Sequence, residues 1–263
     1  MNYNYLKIII LTQEDNFFLP YNIEKVIKEF HVLGIHIIDS KGSLNNKISD
    51  FIKWFGIKQV IKLGNKTIIK KCQSLLDRLF SFKLWNAYTS IKNIALKYGV
   101  KYCVFNKINN NEYLSYVRSL NPDLIISYSC PIVIKEPLLK LPKYGIINVH
   151  GSFLPYYRGL LPSFWVLYYE EKETGATVHY MNENIDDGDI IIQDKIDISE
   201  CKTMYEVMNK TKQLGGELMI EAIKKISRTP VTTIKNDTNK GNYFSWPIIE
   251  HAKEFHRKGY SLI

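Results

Sequence analysis

The sequence predicts an α/β fold in which a mostly parallel sheet is flanked by crossover helices. Short apolar runs alternate with longer amphipathic segments between residues 6 and 149, as expected for successive strand, helix and strand units. The chain has 263 residues and is 46% hydrophobic, which is enough for one large buried core. We therefore expect a single α/β domain with a helical insertion and a short C-terminal appendage.

The predicted strands are five short apolar runs, and two of the segments between them have helical periodicity. The strands are expected at 6–11, 35–38, 102–105, 124–127 and 146–149, and the helices at 23–30 and 113–120. Residues 12–16 after the first strand read Thr-Gln-Glu-Asp-Asn instead of Gly-x-Gly-x-x-Gly. The turn that lets a backbone approach a dinucleotide pyrophosphate is missing, so we expect no nicotinamide or flavin dinucleotide.

Residues 48–99 are more than a simple crossover needs, and we interpret them as a helical insertion. Their large apolar residues have the spacing of two or three amphipathic helices. These residues are Phe51, Trp54, Phe55, Leu75, Leu76, Leu79, Phe80 and Leu84. Helical spacing explains the aromatic residues among them as packing residues, while a role in a pocket stays open.

Residues 1–200 are predicted to form the catalytic domain, and 201–263 a C-terminal helix and short tail packed on it. Thr203 is the expected N-cap of a helix over 203–226, because Glu206 completes a capping box. Two glycines, Gly215 and Gly216, weaken this helix by about 1 kcal/mol each and suggest a bend or close packing. The tail holds Tyr-Phe-Ser-Trp-Pro at 243–247 and a short helix at 249–258.

The chain is basic, with 35 Lys and Arg against 26 Asp and Glu, a net charge of +9 and a pI near 9.1. Such a balance favours anionic partners, but the charge is dispersed and identifies none, so we do not expect nucleic acid. Four scattered cysteines support neither a disulfide framework nor a metal site and are read as buried thiols. The first apolar run is too short for a signal peptide or a membrane span, so we expect a cytoplasmic protein without a membrane partner.

Two polar residues end the last run of the predicted parallel sheet. Asn148 and His150 stand two positions apart, so their side chains point to the same side. A second apolar run, 175–181, leads into the turn-rich stretch 182–188, from which Asp186 can return toward the imidazole. Each residue alone is commonly structural, since a strand-end histidine is often a satisfied core residue and asparagine beside glycine forms turns. Together an amide, an imidazole and a carboxylate form a set suited to acyl transfer.

Several motifs in this half of the chain resemble those of the 10-formyltetrahydrofolate-dependent formyltransferases. The matching segments are 121–126, 141–145, 148–159, 174–179, 185–193 and the helix after Thr203. Asn148 and Asp186 are 38 positions apart, as in that family. The resemblance implies a Rossmann-like formyltransferase fold and assigns Asn148, His150 and Asp186 to the catalytic positions.

The chemistry agrees with that assignment. When an amine attacks a formyl carbon, charge develops on the carbonyl oxygen, and each fixed donor lowers the barrier by about 2.7–4 kcal/mol. Asn148 and His150 are the expected donors. Asp186 is expected to favour the imidazolium form of His150 and to accept the proton that the amine loses. Ser152 is read as a loop residue, and His179 either supports the site or packs on its strand.

The resemblance also implies a binding site for the formyl donor, which leaves as tetrahydrofolate. One wall would be Ser129, Cys130, Pro131 and Ile132, and the other Asn182, Glu183, Asn184 and Ile185. Substrate contacts are expected from Tyr157 and Arg158, with Arg158 either pairing with a phosphate or shaping its loop. The Arg-Gly pair resembles the sugar and transfer-RNA enzymes more than the purine-pathway enzyme.

The acceptor expected from this resemblance is the amino group of a nucleotide-linked amino sugar for O-antigen or another surface polysaccharide. The chain ends before the C-terminal domain that the transfer-RNA enzyme carries, and its short tail resembles the sugar enzymes. Two alternatives stay open: a methionyl-tRNA formyltransferase-like enzyme, and a formyl-folate hydrolase or folate-binding protein. Analogy with sugar-modifying relatives suggests a homodimer.

Overall fold

The computed structural model describes residues 6–39, 44–228 and 230–263. Its main sheet has seven strands in the order β3-β2-β1-β4-β5-β7-β8. The strands, including the short pair β6 and β9, are β1 (Lys7–Thr12), β2 (His31–Ile38), β3 (Tyr102–Phe105), β4 (Leu124–Tyr128), β5 (Ile146–His150), β6 (Arg158–Gly159), β7 (Glu173–Tyr180), β8 (Ile190–Asp197) and β9 (Tyr243–Phe244). Strands β1 to β5 pair with one another in parallel, and β7 is antiparallel to both β5 and β8. The predicted α/β class with a mostly parallel sheet is confirmed.

Helices were found in every predicted helical segment, with shifted ends, and the short helices α6 and α7 were not predicted. They are α1 (Leu19–Glu29), α2 (Leu44–Phe55), α3 (Ile57–Leu79), α4 (Ile91–Tyr98), α5 (Asn111–Leu120), α6 (Glu136–Leu139), α7 (Pro162–Tyr168), α8 (Met204–Ile226) and α9 (Ile249–Arg257). Strand β2 begins at His31, four residues before the predicted start at 35. The prediction began too late because it followed apolar runs, and the first residue of the strand is polar and exposed.

The sheet is covered on both faces, because successive residues of its central strand point to opposite sides. Ile8 and Ile10 pack in a core shared with α1, α4 and α8. Ile9 and Leu11 pack in a second core with α5 and α6. Both pairs are fully buried, and this burial on two faces explains why β1 reads as one continuous apolar run.

The predicted insertion contains two kinds of helix. Helix α4 buries Ile91, Ile94 and Ala95 in the core beside α1, so it is the crossover between β2 and β3. Helices α2 and α3 are the true addition. Trp54 stacks on Trp246 of the tail at 5.5 Å, which supports a packing role for that aromatic residue. Phe80, in contrast, is 56% exposed, so helical spacing alone was a wrong guide there.

The capping box of α8 is confirmed. The Thr203 hydroxyl accepts from the Glu206 amide at 3.1 Å, and the Glu206 carboxylate accepts from the Thr203 amide at 2.9 Å. The two glycines interrupt nothing, since α8 is continuous. A Cβ on Gly215 would lie 2.7 Å from Val149 Cγ2, so this glycine permits close packing of α8 on β5.

The cysteines depart in part from the expectation of buried thiols. Cys201 is buried, and Cys103 and Cys130 are half-buried, but Cys72 is exposed. Cys72 lies on α3, the helix whose outer side the core does not cover. The prediction of a buried thiol was wrong for Cys72, because it assumed that the whole insertion packs against the core.

Candidate active site

Three polar side chains share one face of the sheet where β5 meets β7. Asn148 and His150 alternate with Val149, which points the other way to meet α8. The antiparallel register puts His179 of β7 directly opposite Asn148. Facing residues of an antiparallel pair have neighbouring side chains, so the fold adds a second imidazole to the predicted set.

Asp186 joins this group from the loop between β7 and β8. One of its carboxylate oxygens lies 3.3 Å from His150 Nδ1 and also accepts from the Gly159 amide at 2.9 Å. Its other oxygen lies 3.6 Å from His179 Nε2. The structure thus brings the amide, imidazole and carboxylate of the predicted set together.

The backbone of Asp186 is held in an uncommon conformation. Its φ of +49° lies in the left-handed region, which residues other than glycine adopt at a cost of about 1–3 kcal/mol when their surroundings enforce it. Asn236 supports this geometry by donating its side-chain amide to the Asp186 carbonyl at 3.0 Å. The loop therefore aims the carboxylate at the two imidazoles at the expense of local strain.

The charge state of Asp186 follows from competing effects. Burial raises the pKa of this carboxyl, but the nearby His150 and His179 imidazoles and the Gly159 amide lower it more. The net pKa lies well below the ordinary value. A carboxylate of low pKa stays ionised and is a weak proton acceptor, so its geometry suits a fixed negative charge better than a free general base.

Both ring nitrogens of His150 face hydrogen-bond acceptors. Nε2 donates to the Tyr157 carbonyl at 2.8 Å, and Nδ1 faces Asp186. Only a doubly protonated ring donates to both acceptors, which fits a carboxylate held ionised beside it. In this arrangement neither nitrogen is free to donate to a carbonyl oxygen, contrary to the expectation that His150 is a ready donor. Rotation of the ring away from Tyr157 would free Nε2.

His179 contacts both Asn148 and Asp186 through one ring nitrogen. Its Nδ1 donates to the Tyr180 carbonyl at 2.8 Å, and its Nε2 lies 3.6 Å from an Asp186 oxygen. The Asn148 side-chain nitrogen lies 3.3 Å from that Nε2. One N–H of the Asn148 amide faces His179 at this distance, and the second points elsewhere. Sequence reasoning left this role of His179 open, because its pairing with Asn148 depends on strand register.

Arg158 and Tyr157, the two residues predicted to bind substrate, both have side chains that contact other residues of the protein. Arg158 Nη1 lies 3.8 Å from Asp187, and its guanidinium lies 6.0 Å from the centre of the Tyr243 ring. These contacts favour the loop-shaping interpretation of Arg158. The Tyr157 hydroxyl donates to Glu171 at 2.6 Å, and its ring stacks on Phe244. Tyr157 thus meets the site through its carbonyl.

The Ser152 hydroxyl donates to the Tyr156 carbonyl at 2.7 Å within the same loop. Ser152 is fully buried. It therefore shapes the loop, as its sequence context predicted.

The first predicted folate wall follows β4. Ser129 has a φ of +53°, and its hydroxyl is bound by the Lys212 ammonium of α8. Burial lowers the pKa of Lys212, and this lysine forms no ion pair with any described residue. Cys130 and Ile132 are half-buried, and burial raises the pKa of the Cys130 thiol to about 11. Sequence reasoning missed Lys212, since one lysine in a lysine-containing helix carries no distinguishing signal.

The second predicted wall is ordered by Asp187. Asn182 and Asn184 both donate side-chain amides to Asp187, at 3.2 and 2.9 Å. Glu183 and Ile185 are exposed on the same loop. Asp187 therefore organises the segment that presents Asp186, although it does not itself contact the imidazoles.

Comparison with known proteins identifies the family. A family model described as formyl transferase matches residues 89–223, which include β3 to β5, β7, β8 and the assembled site. The chain belongs to the formyl transferase family. Methionyl-tRNA formyltransferase of Acetivibrio thermocellus is 33% identical over 157 residues, which are 60% of this chain and 50% of that protein. The chain spans about half the length of the curated relatives it matches.

Solved structures share the fold at low sequence identity. Glycinamide ribonucleotide transformylase 1 from Symbiobacterium toebii aligns with a TM-score of 0.60 and 15% identity, covering 88% of this chain and 94% of that one. An N-formyltransferase from Helicobacter canadensis, solved with folinic acid and dTDP-3-aminofucose, aligns at 0.56 and 16%, covering 95% and 79%. Both likenesses support the Rossmann-like formyltransferase fold.

Proposed function

We propose that this protein transfers a formyl group from 10-formyltetrahydrofolate to the amino group of a nucleotide-linked amino sugar. The observation that carries the proposal is one cluster in which His150 and His179 lie 3.3 and 3.6 Å from the Asp186 carboxylate and Asn148 lies 3.3 Å from His179. The surrounding chain belongs to the formyl transferase family. When bound, the folate supplies the activated formyl group.

The contacts of Asn148, His150 and Asp186 assign a different role to each residue. Asn148 keeps one amide hydrogen free of His179 and is the fixed donor for the formyl oxygen. Asp186 faces His150 Nδ1 at 3.3 Å, and rotation of that ring from Tyr157 adds a second donor. As the new bond to the amine forms, the bond between the formyl carbon and the folate nitrogen breaks; the amine loses one proton and the leaving nitrogen gains one. The low pKa of Asp186 favours solvent over this carboxylate as the carrier of that proton.

The two loops after β4 and β7 fit a folate in their chemistry. Cys130 and Ile132 offer half-buried apolar contact for a flat ring, as binding sites for small molecules commonly do. Ser127 of β4 lies beside Asn148 of β5 in the register of the two strands. Its hydroxyl is buried and has no hydrogen-bond partner among the described residues. A bound pterin would satisfy this polar group, so we assign the donor to these loops.

Two features support an anionic acceptor. Lys212 lies at the carboxyl end of β4, next to β1, where the strand order reverses and open α/β sheets bind ligands. Its ammonium contacts the Ser129 hydroxyl and forms no ion pair with any described residue, so a phosphate-bearing substrate would supply the charge partner. The Helicobacter canadensis enzyme was solved with a dTDP-linked amino sugar and aligns over 95% of this chain. An amino sugar destined for a surface polysaccharide is the substrate class we assign.

Methionyl-tRNA is the second candidate acceptor, because relatives of 33–35% identity are methionyl-tRNA formyltransferases. One acceptor panel separates the candidates. The purified chain is incubated with 10-formyltetrahydrofolate and either 3-amino or 4-amino deoxysugars on dTDP, UDP or GDP, methionyl-tRNA, or no acceptor, and products are read by mass spectrometry. A mass gain of one formyl group on a nucleotide sugar supports the proposal. Formylation of methionyl-tRNA alone, or equally fast tetrahydrofolate release without acceptor, refutes it.

A further inference from the structure

Helix α3 presents an apolar stripe to solvent. Ile57, Ile61, Ile68, Leu75 and Leu79 follow one another at intervals of four and seven residues, so they share one face of the helix. They are 59, 54, 60, 59 and 79% exposed. Five large aliphatic side chains thus lie exposed in one row along the helix, and exposed apolar surface of this kind marks interaction sites.

The opposite side of α3 anchors the helix to the protein. Ser74 and Asp77 are buried there, and Leu63 packs against the core around α7 and α9. Lys66 lies over the Tyr205 ring at 4.4 Å from its centre. The apolar stripe therefore points outward from a helix whose other face is already packed.

The charges on α3 are nearly all positive. The helix contains five lysines and Arg78 against a single acid, Asp77. Asp77 is fully buried and accepts from the backbone amides of Leu84, Trp85 and Ala87. Among the described residues of α3, no carboxylate reaches solvent. Lys58 and Lys71 are exposed on either side of the stripe, so the surface that meets a partner is both apolar and cationic.

We propose that α3 docks this protein on the surface of a membrane that contains anionic phospholipids. The stripe would enter the region between headgroups and acyl chains while Lys58 and Lys71 contact lipid phosphates, as amphipathic interfacial helices do. Within the described residues, no helix has the length and apolar character needed to cross a bilayer. The helix would lie on the surface.

Charge selects this partner over a second copy of the chain. Pairing two α3 helices would bring two cationic surfaces together without an exposed carboxylate on either helix, and facing like charges oppose association. A bilayer supplies apolar depth and negative charge together and needs no groove on the helix. The proposal departs from the expectation of no membrane partner, which rested on the absence of a spanning segment.

Vesicle flotation of the full chain tests the proposal. We expect binding to phosphatidylglycerol-containing vesicles and little binding to pure phosphatidylcholine. The double variant Ile68→Ser and Leu75→Ser should lose at least about tenfold in partitioning, since each change removes apolar burial. The control variant Leu96→Ser and Val104→Ser alters residues of similar exposure outside α3, 50 and 54%, and should bind normally.

The charge contribution needs its own pair of variants. Lys58→Gln with Lys71→Gln should weaken partitioning by about 25-fold, at about fivefold per lysine near an anionic surface. Lys92→Gln with Lys253→Gln removes the same charge from exposed positions on α4 and α9 and should change it less than about threefold. Circular dichroism and thermal unfolding confirm that all variants fold.

A polarity-sensitive dye on the exposed Cys72 reports insertion directly. Its emission should shift to the blue with anionic vesicles, while the same dye at Ser115→Cys in a Cys72→Ser background should not respond. Equal binding to neutral vesicles, no binding, or an unchanged Cys72 signal would overturn the proposal. A dimer that disappears in the Ile68→Ser and Leu75→Ser variant, without vesicle binding, would identify a second copy as the occupant.

Discussion

The Nδ1 atom of His150 lies 3.3 Å from the Asp186 carboxylate, while Nε2 of the same ring donates to a backbone carbonyl. The imidazole is therefore held between a charge and a dipole, both of which accept hydrogen bonds. This arrangement makes Asp186 a counter-charge for His150 in the proposed reaction. It also predicts that loss of the charge matters more than loss of the side-chain volume.

Asp186→Asn keeps the size of the side chain and removes its charge. We expect turnover in the formyl-transfer assay to fall by about 10²–10⁴-fold with little change in thermal unfolding. Asp189→Asn is the matched control, since Asp189 is an exposed acid in the same segment, and it should retain normal turnover. Near-normal activity of Asp186→Asn would refute the catalytic role of this carboxylate.

Asn148 and His179 should act as a unit. Removal of the Asn148 amide by Asn148→Ala should lower kcat by about 10²–10³-fold, the cost of losing one oxyanion donor. His179→Ala should lower kcat by about 10-fold or more with little change in KM, because His179 positions Asn148 at 3.3 Å. In the double variant the two effects should not add, since contacting residues are coupled. Additive losses would show that His179 does not act through Asn148.

The Glu24 carboxylate, which lies away from the active site, should make the free energy of unfolding depend on pH in the acid range. Burial raises the pKa of this carboxyl, but hydrogen bonds from Lys97, Tyr88 and Tyr98 outweigh burial and lower it to about 2. A depressed pKa stabilises the folded state above the unfolded value near 4.5, and that stability is lost as pH falls toward 2. Urea unfolding should show Glu24→Gln to be less stable than wild type by about 3 kcal/mol at pH 7, with the difference shrinking below pH 4. A pH-independent difference would contradict this linkage.

Two glycines should respond in opposite ways to alanine. Gly215→Ala places a Cβ 2.7 Å from Val149 Cγ2, so we expect a loss of about 1–3 kcal/mol in unfolding free energy and reduced turnover from displacement of β5. Val149→Ala should partly rescue it. Gly64→Ala meets nothing within 4 Å in the middle of α3 and should stabilise the protein by about 0.5–1 kcal/mol. Equal responses at the two positions would contradict the packing argument.

Local signals in the chain were sufficient where neighbours in sequence are also neighbours in space. Strand β3 was predicted at its observed bounds, and the capping box of Thr203 and Glu206 formed as expected. The strand predicted at 146–149 became β5, which begins at Ile146 directly after Gly145, whose φ is +75°, and continues to His150. Periodicity predicts an element and leaves its ends to turn geometry.

The sequence by itself determined the α/β class, the order of the motifs and the set Asn148, His150 and Asp186. Only the tertiary structure decided that His179 faces Asn148, that the His150 ring is occupied on both sides, and that the apolar stripe of α3 faces outward. The reason is physical. Composition and spacing determine which side chains lie on the same face of a helix or strand. Strand register, loop closure and packing against distant segments determine which other residues, or solvent, that face contacts.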